Sequence, residues 1–379
     1  MKKISPSQFY SLLREQGVEF FTGVPDSLLK QLCLCIDDNV SENHHIIAAN
    51  EGNAIALAAG YHLGTGKIPL VYMQNSGLGN AVNPLLSLCD PEVYSIPMII
   101  VVGWRGEPGI KDEPQHIKQG KVQLELIKAL DLPFEIISKN EKDLNAKISR
   151  GIKLATSESR PFLFIIKKGT FSDYNLNISL NNKSLMSREQ VLDVILDKTP
   201  NDFVVVSTTG KTSREIFEIR VRNKVTHQKD FLTVGSMGHC SSIALGIAIS
   251  NPKKNIICID GDGSLIMHMG SLSTVGNVNP KNFFHILINN YVHESVGGQQ
   301  TSSKYIDMKA LAIANSYRYV STVKKLDDLN NEINSLFEKQ GPSFLEIIVE
   351  PGSRKDLGRP TLKPNENKKM FMNFLIDSK

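Results

Sequence analysis

The chain has 379 residues, enough for two domains of ordinary size, and 41% of them are hydrophobic against 22% charged, the balance of a folded globular protein. A net charge of +4 over that length gives no footing for nucleic acid or for an anionic membrane surface as partner. No run reaches the about eighteen apolar residues of a membrane span, and the N-terminal stretch lacks the apolar core of a signal peptide.

Taken in chain order, Ser5, Pro6 and Gln8 mark a helix start, with a capping serine, a proline in the first turn and a capping-box glutamine. Phe21-Thr22-Gly23 ends an early strand, and residues 27–34 read as a helix for which Asp26 could be the N-cap. Residues 54–63 carry a helical period, while 68–73 and 96–102 are apolar runs of the length of buried parallel strands. The segment 167–184, rich in asparagine and lysine, reads as a linker. Beyond it Ser187 and Gln190 open a second capped helix, and Thr208-Thr209-Gly210 closes a second early strand. Residues 243–249 are helical, 256–259 and 283–288 are strands, and a basic tail ends in a helical run near 371–376. The cysteines, Cys33, Cys35, Cys89, Cys240 and Cys258, are odd in number and lie in apolar segments, as reduced thiols of a cytoplasmic protein would. Cys33-Leu34-Cys35 lacks the second ligand pair that a zinc site needs.

The two halves echo each other. Ser5-x-x-Gln8 recurs as Ser187-x-x-Gln190, and Ile55-Ala56-Leu57 as Ile243-Ala244-Leu245. Phe162-Leu163-x-Ile165-Ile166 recurs as Phe344-Leu345-x-Ile347-Ile348. The offset stays at roughly 180–190 residues, which is a domain-level duplication and not a solenoid. With strands and helices alternating in each half, the expected fold is α/β, two related doubly wound parallel-sheet domains. Their expected bounds are 1–170 and 187–379, joined by a linker at 171–186. Ligands in such sheets bind beyond the carboxyl ends of the strands.

Gly261-Asp262-Gly263-Ser264 follows the strand 256–260 at a helix start. The glycines permit a tight turn, exposed N–H groups suit a phosphate, and Asp262 is a hard oxygen ligand of the kind Mg²⁺ takes. Asn289-Asn290 ends the next strand and sets two amides at the same sheet edge. By itself the tetrapeptide could be only a strand-to-helix turn; the asparagine pair argues for a site.

The Gly261-Asp262-Gly263 and Asn289-Asn290 pair resembles the signature of the thiamine-diphosphate decarboxylase and acetohydroxyacid synthase superfamily. The resemblance implies a thiamine-diphosphate-binding fold with a pyrimidine-binding first half, a diphosphate-binding second half and no central third domain. It implies Mg²⁺ on Asp262, Asn290 and the carbonyl of Val292, and Ser264, Thr209 and Gly210 beside the diphosphate. In Gly235-Ser236-Met237-Gly238, Met237 matches the apolar residue on which the cofactor bends. Asn50-Glu51-Gly52-Asn53-Ala54 resembles the family's activating-glutamate motif, so Glu51 would act on the cofactor's aminopyrimidine; otherwise it is a helix-start glutamate facing the dipole. Because the family builds its sites from two subunits, the chain is expected to form at least a homodimer.

Three segments, Gly23-Val24-Pro25-Asp26-Ser27, Asp112-Glu113-Pro114-Gln115-His116 and His293-Glu294-Ser295-Val296-Gly297-Gly298-Gln299, resemble those of the phosphonopyruvate decarboxylase family, close to the sulfopyruvate decarboxylases. Gln300 departs from the proline expected after the last. The implied reaction is decarboxylation of 3-phosphonopyruvate to phosphonoacetaldehyde. Such chemistry needs proton transfers, for which Asp26, His116, His293 and Glu294 are candidates, although a histidine is more often only a surface group. An anionic substrate tail needs donors: Asp26, Ser27, Arg105, Lys111 and His116 are the candidate substrate contacts, with Lys304 as a further cation, and the lysines are equally readable as solvated. Sulfopyruvate or another acidic 2-oxo acid is the alternative substrate. A non-catalytic cofactor-binding subunit, and an unrelated Mg²⁺-dependent phosphate-binding protein, are the readings from other classes.

Overall fold

The structure, a computed structural model, describes residues 2–174 and 186–377. It divides into two compact units, residues 1–178 with 295–299, and residues 179–294 with 300–379. Most of the expected linker, 175–185, lies outside the described residues. On either side of it Phe171 bridges to Ile4 and Met186 to Val349.

The first unit is a six-stranded sheet of β1 (Phe21–Gly23), β2 (His45–Ile47), β3 (Leu70–Gln74), β4 (Met98–Gly103), β5 (Phe134–Ile137) and β6 (Pro161–Ile166). Every pairing is parallel, in the order β2-β1-β3-β4-β6-β5. The second has β7 (Val204–Ser207), β8 (Asp230–Leu232), β9 (Ile256–Gly261), β10 (Phe283–Asn289), β11 (Tyr319–Val323) and β12 (Ser343–Ile348), also parallel, in the order β11-β12-β10-β9-β7-β8. Read from its other edge this is the strand order of the first unit. The sequence echoes fall on matching positions, since Phe162-Leu163 and Phe344-Leu345 belong to the sixth strand of each unit.

Helices cover both faces of each sheet. Along β4, Ile99 and Val101 enter one apolar cluster while Met98, Ile100 and Val102 enter the other. That two-sided burial is why the central strands read as unbroken apolar runs. Each such side chain contributes about 1.5–3 kcal/mol by leaving water.

Two local expectations change. Ser5 is the N-cap of the helix Pro6–Glu15, but its side chain makes no capping hydrogen bond, whereas Ser187 and Gln190 form the full capping box. The chain before Pro6 is held instead by the bridge from Ile4 to Phe171. The second helix runs Lys30–Asn39 with Leu29 as N-cap, so Asp26 is not a helix cap; residues 27–29 form a turn, and the Asp26 side chain accepts the Leu28 N–H. Among the described residues no helix is long and apolar enough to cross a membrane.

Candidate active site

In the second unit, the expected cofactor residues all follow the carboxyl ends of parallel strands. Thr208-Thr209-Gly210 follows β7, the 235–238 turn follows β8, Asp262 follows β9 and Asn290 follows β10. Hydrogen bonds tie these loops together. Thr209 Oγ1 accepts the Gly235 N–H at 2.9 Å, and Ser264 Oγ accepts the Gly238 N–H at 3.1 Å and the Thr208 hydroxyl at 3.0 Å. Gly263 is closely covered, because a Cβ there would lie 3.0 Å from the His293 ring and 3.4 Å from Met237 Cε, and those side chains would have to give by a few tenths of an ångström. The glycine therefore lets Met237 and His293 close over the turn.

Asp262 is buried, and its Oδ2 accepts the hydroxyls of Thr301 (2.5 Å) and Ser303 (2.9 Å). Among the described residues it has no ion-pair partner. Burial raises its pKa against those hydrogen bonds, as expected of a desolvated carboxylate without a cation beside it. The donor set, one carboxylate, the Asn290 amide and the Val292 carbonyl, is all hard oxygen, so the residues fit Mg²⁺. Asn290 Oδ1 accepts the Val292 N–H at 3.2 Å, and its Nδ2 donates to Glu294 at 2.9 Å.

Glu294 sits differently from its expectation as a proton-transfer group. Arg188 Nη1 and Lys211 Nζ donate to its two oxygens at 2.7 and 2.6 Å. Burial alone would raise its pKa, but those cations hold it at about 2. A carboxylate so held has no proton to give near neutrality. His293 is half-buried, and desolvation lowers it to about 4, leaving a neutral imidazole.

In the first unit, Glu51 is buried at the start of the helix Glu51–Thr65, whose N-cap Asn50 accepts the Asn53 N–H. Asn80 Nδ2 donates to Glu51 Oε2 at 2.7 Å, and a Cβ on Gly77 would lie 2.4 Å from Glu51 Cγ. The carboxylate is thus seated on a glycine and held by an amide. Asp26, Ser27, Arg105 and His116 form a second group, with Asp26 beyond β1 and Arg105 beyond β4. Arg105 donates to Ser27 Oγ at 2.7 Å and grips Asp112 with Nε at 2.8 Å and with Nη2. Burial pushes Asp112 up, yet Arg105 and the Gly106 N–H overcome it and hold the acid at about 2. Asp26 is fully buried against Gly103, where a Cβ would lie 2.1 Å from Oδ2. There burial outweighs the attraction of Arg105 and raises Asp26 to about 6. Burial, then Arg105, lowers the buried His116 to about 4. Lys111 is exposed, and so is Lys304, which lies over the Tyr305 ring.

Sequence reasoning missed Asn80, Gly77, Thr301, Ser303, Arg188 and Lys211. The run Thr301-Ser302-Ser303 just past the last motif was a visible signal of hydroxyls. Arg188 and Lys211 carried none, because their partner is 106 and 83 residues away.

Residues 7–126 match the family model described as the thiamine pyrophosphate enzyme N-terminal TPP binding domain, and residues 208–347 match that of its C-terminal TPP binding domain. The phosphonopyruvate decarboxylase of Streptomyces viridochromogenes is 35% identical over 376 residues, 95% of this chain and 92% of that protein. That of Streptomyces hygroscopicus is 34% identical, covering 99% and 94%. The sulfopyruvate decarboxylase of Methanosarcina acetivorans is 26% identical, covering 96% of each chain.

Proposed function

This chain belongs to the thiamine pyrophosphate enzymes, and we propose that within them it converts 3-phosphonopyruvate to phosphonoacetaldehyde and carbon dioxide with Mg²⁺ as the second cofactor. It is a carboxy-lyase that uses thiamine diphosphate. The observation that carries the substrate assignment is the likeness to two phosphonopyruvate decarboxylases over nearly the whole chain. Arg105 Nη1, hydrogen-bonded to Ser27 Oγ at 2.7 Å beside the buried Asp26 while Nε and Nη2 hold Asp112, supports it by setting a cationic edge and a hydroxyl together for a tetrahedral anion.

Bound thiamine diphosphate supplies the electron sink that lets a 2-oxo acid lose carbon dioxide. Asp262, Asn290 and the Val292 carbonyl would hold Mg²⁺ at the diphosphate end, lined by Thr209, Gly210, Gly235, Gly261, Gly263 and Ser264, with Met237 supporting the cofactor. Glu51 would exchange a proton with the cofactor's aminopyrimidine, a task that its burial and its hydrogen bond from the Asn80 amide suit. One proton must reach the substrate carbon once carbon dioxide has left, and one must leave a hydroxyl before the product departs. Asp26, at about 6, can do either near neutrality; His116 and His293, which burial holds at about 4, can pass a proton on but not retain it there. Arg105 and Ser27 orient the anionic tail, and Lys111 is an outer cation for it. The buried free thiols fit a cytoplasmic setting, and the family's two-subunit sites fit self-association.

The likeness to a sulfopyruvate decarboxylase over 96% of the chain supports that acid as the second reading. Carbon dioxide release from phosphonopyruvate, sulfopyruvate and pyruvate, with and without thiamine diphosphate and Mg²⁺, separates them. The expected result is release from phosphonopyruvate alone, lost without either cofactor and reduced about 10²–10⁴-fold in Glu51→Gln. Preference for sulfopyruvate would overturn the substrate. Cofactor binding without release from any acid would favour a non-catalytic subunit.

A further inference from the structure

We propose that Glu294 is a positioning residue that sets which edge of the Asn290 amide faces the metal, and that Arg188 and Lys211 act through it. The inference rests on the Mg²⁺ reading of Asp262 and Asn290 given above.

Three donors from separate parts of the chain converge on this one carboxylate. Asn290 Nδ2 donates to Oε2 at 2.9 Å, Arg188 Nη1 to Oε2 at 2.7 Å and Lys211 Nζ to Oε1 at 2.6 Å. Arg188 begins the helix Arg188–Lys198 and Lys211 begins the helix Lys211–Arg222, directly after the Thr209-Gly210 turn. Arg188 is itself clamped from behind, with Nε and Nη2 donating to Glu215 at 2.6 and 2.8 Å. Glu294 is therefore pinned in place.

An amide has two edges that differ only in chemistry: Nδ2 donates and Oδ1 accepts. Only an oxygen can bind Mg²⁺, so a flipped Asn290 would turn its amino group toward the cation. A carboxylate is an acceptor without a donor, so only the Nδ2 edge can face Glu294, and Oδ1 is left on the other side. Arg188 and Lys211 donate to the two oxygens of Glu294 and so hold the carboxylate in the orientation that presents an acceptor to Asn290. Outer-shell partners of this kind typically change metal affinity 10–100-fold.

In Glu294→Gln the side chain has one acceptor and one donor. Arg188 and Asn290 share Oε2 while Lys211 holds Oε1, so when the glutamine carbonyl turns to Lys211 its amino group faces Asn290, and the acceptor that excludes the flipped amide is gone. The test is calorimetric titration of thiamine diphosphate into the full-length protein at a series of Mg²⁺ concentrations, with thermal unfolding of each apo variant alongside. Glu294→Gln should raise the half-saturating Mg²⁺ concentration about 10–100-fold. Glu215→Gln removes a buried partner of Arg188 without touching Asn290, so it should lower the unfolding temperature but move the Mg²⁺ requirement less than about threefold, well short of that range. An unmoved Mg²⁺ requirement in Glu294→Gln, or an equal shift in both variants, would overturn the proposal and leave Glu294 a purely structural ion-pair partner. Asp262→Asn marks the underlying reading: if it and the wild type show the same Mg²⁺ dependence, the metal assignment fails first.

Discussion

Asp26 and Glu51 are both buried carboxylates beside a glycine, yet their surroundings set them different tasks. Glu51 accepts an amide N–H from Asn80, whereas one oxygen of Asp26 has no hydrogen-bond partner among the described residues. Desolvation therefore raises Asp26 from 3.8 to about 6, a rise that disfavours the charged form by about 3 kcal/mol. The sign follows from linkage. Below about pH 4 the group is neutral folded and unfolded; from there to about pH 6 the folded state holds the proton that the unfolded state has released, so stability falls as pH rises. Asp26→Asn should thus match the wild type in stability at about pH 4 and exceed it above about pH 6, by up to about 3 kcal/mol, while decarboxylation falls. Thermal unfolding at both pH values checks this; equal stability at the higher pH would mean that Asp26 is better solvated than its burial indicates. Asp26 was visible as a candidate from its motif. Its raised pKa was not, because that depends on Gly103 and Arg105, 77 and 79 positions along the chain.

At the scale of elements, the site is made by the ends of parallel strands and by glycines that let side chains settle on backbone. Gly77 lies in the turn after β3 with φ −74° and ψ −16°, a conformation that alanine adopts freely. Any effect of Gly77→Ala is then steric, since the new Cβ would meet Glu51 at 2.4 Å. Overpacking of that kind costs about 1–3 kcal/mol, and the movable partner is the Glu51 side chain. Turnover should fall at least about tenfold, the equivalent of about 1.4 kcal/mol on the barrier. Circular dichroism should be unchanged. Wild-type turnover in this variant would show that Glu51 can function from a shifted position. The strands and the Gly261-Asp262-Gly263 turn were legible because their signals are local, a period and a punctuating glycine. The capping box at Ser5 was misread, because the bridge from Ile4 to Phe171 decides how the chain enters that helix.

For the molecule as a whole, cofactor binding and stability are linked. A ligand that binds only the folded state stabilises by about 2.7 kcal/mol at a hundred times its dissociation constant. Thiamine diphosphate with Mg²⁺ should therefore raise the unfolding temperature, and EDTA should return it to the apo value. An increase that survives EDTA would point to diphosphate binding without the metal. Sedimentation of the loaded protein should show at least a dimer; a monomer that remains fully active would remove the two-subunit site from the account.

The sequence by itself determined the fold class, the duplication and thiamine diphosphate as a cofactor, and it singled out Glu51, Asp262 and Asn290 as candidates. Apolar periodicity, glycine punctuation and short motifs are properties of neighbouring residues, and they survive in one dimension. Only the tertiary structure decided which charges neutralise each other. Arg105 is paired with Asp112 and Glu294 with Arg188 and Lys211, while Asp262 accepts the hydroxyls of Thr301 and Ser303. The physical reason is that the protonation and availability of an ionisable group depend on burial and on charges within a few ångströms. In a parallel sheet those neighbours come from loops that follow different strands, far apart in the chain.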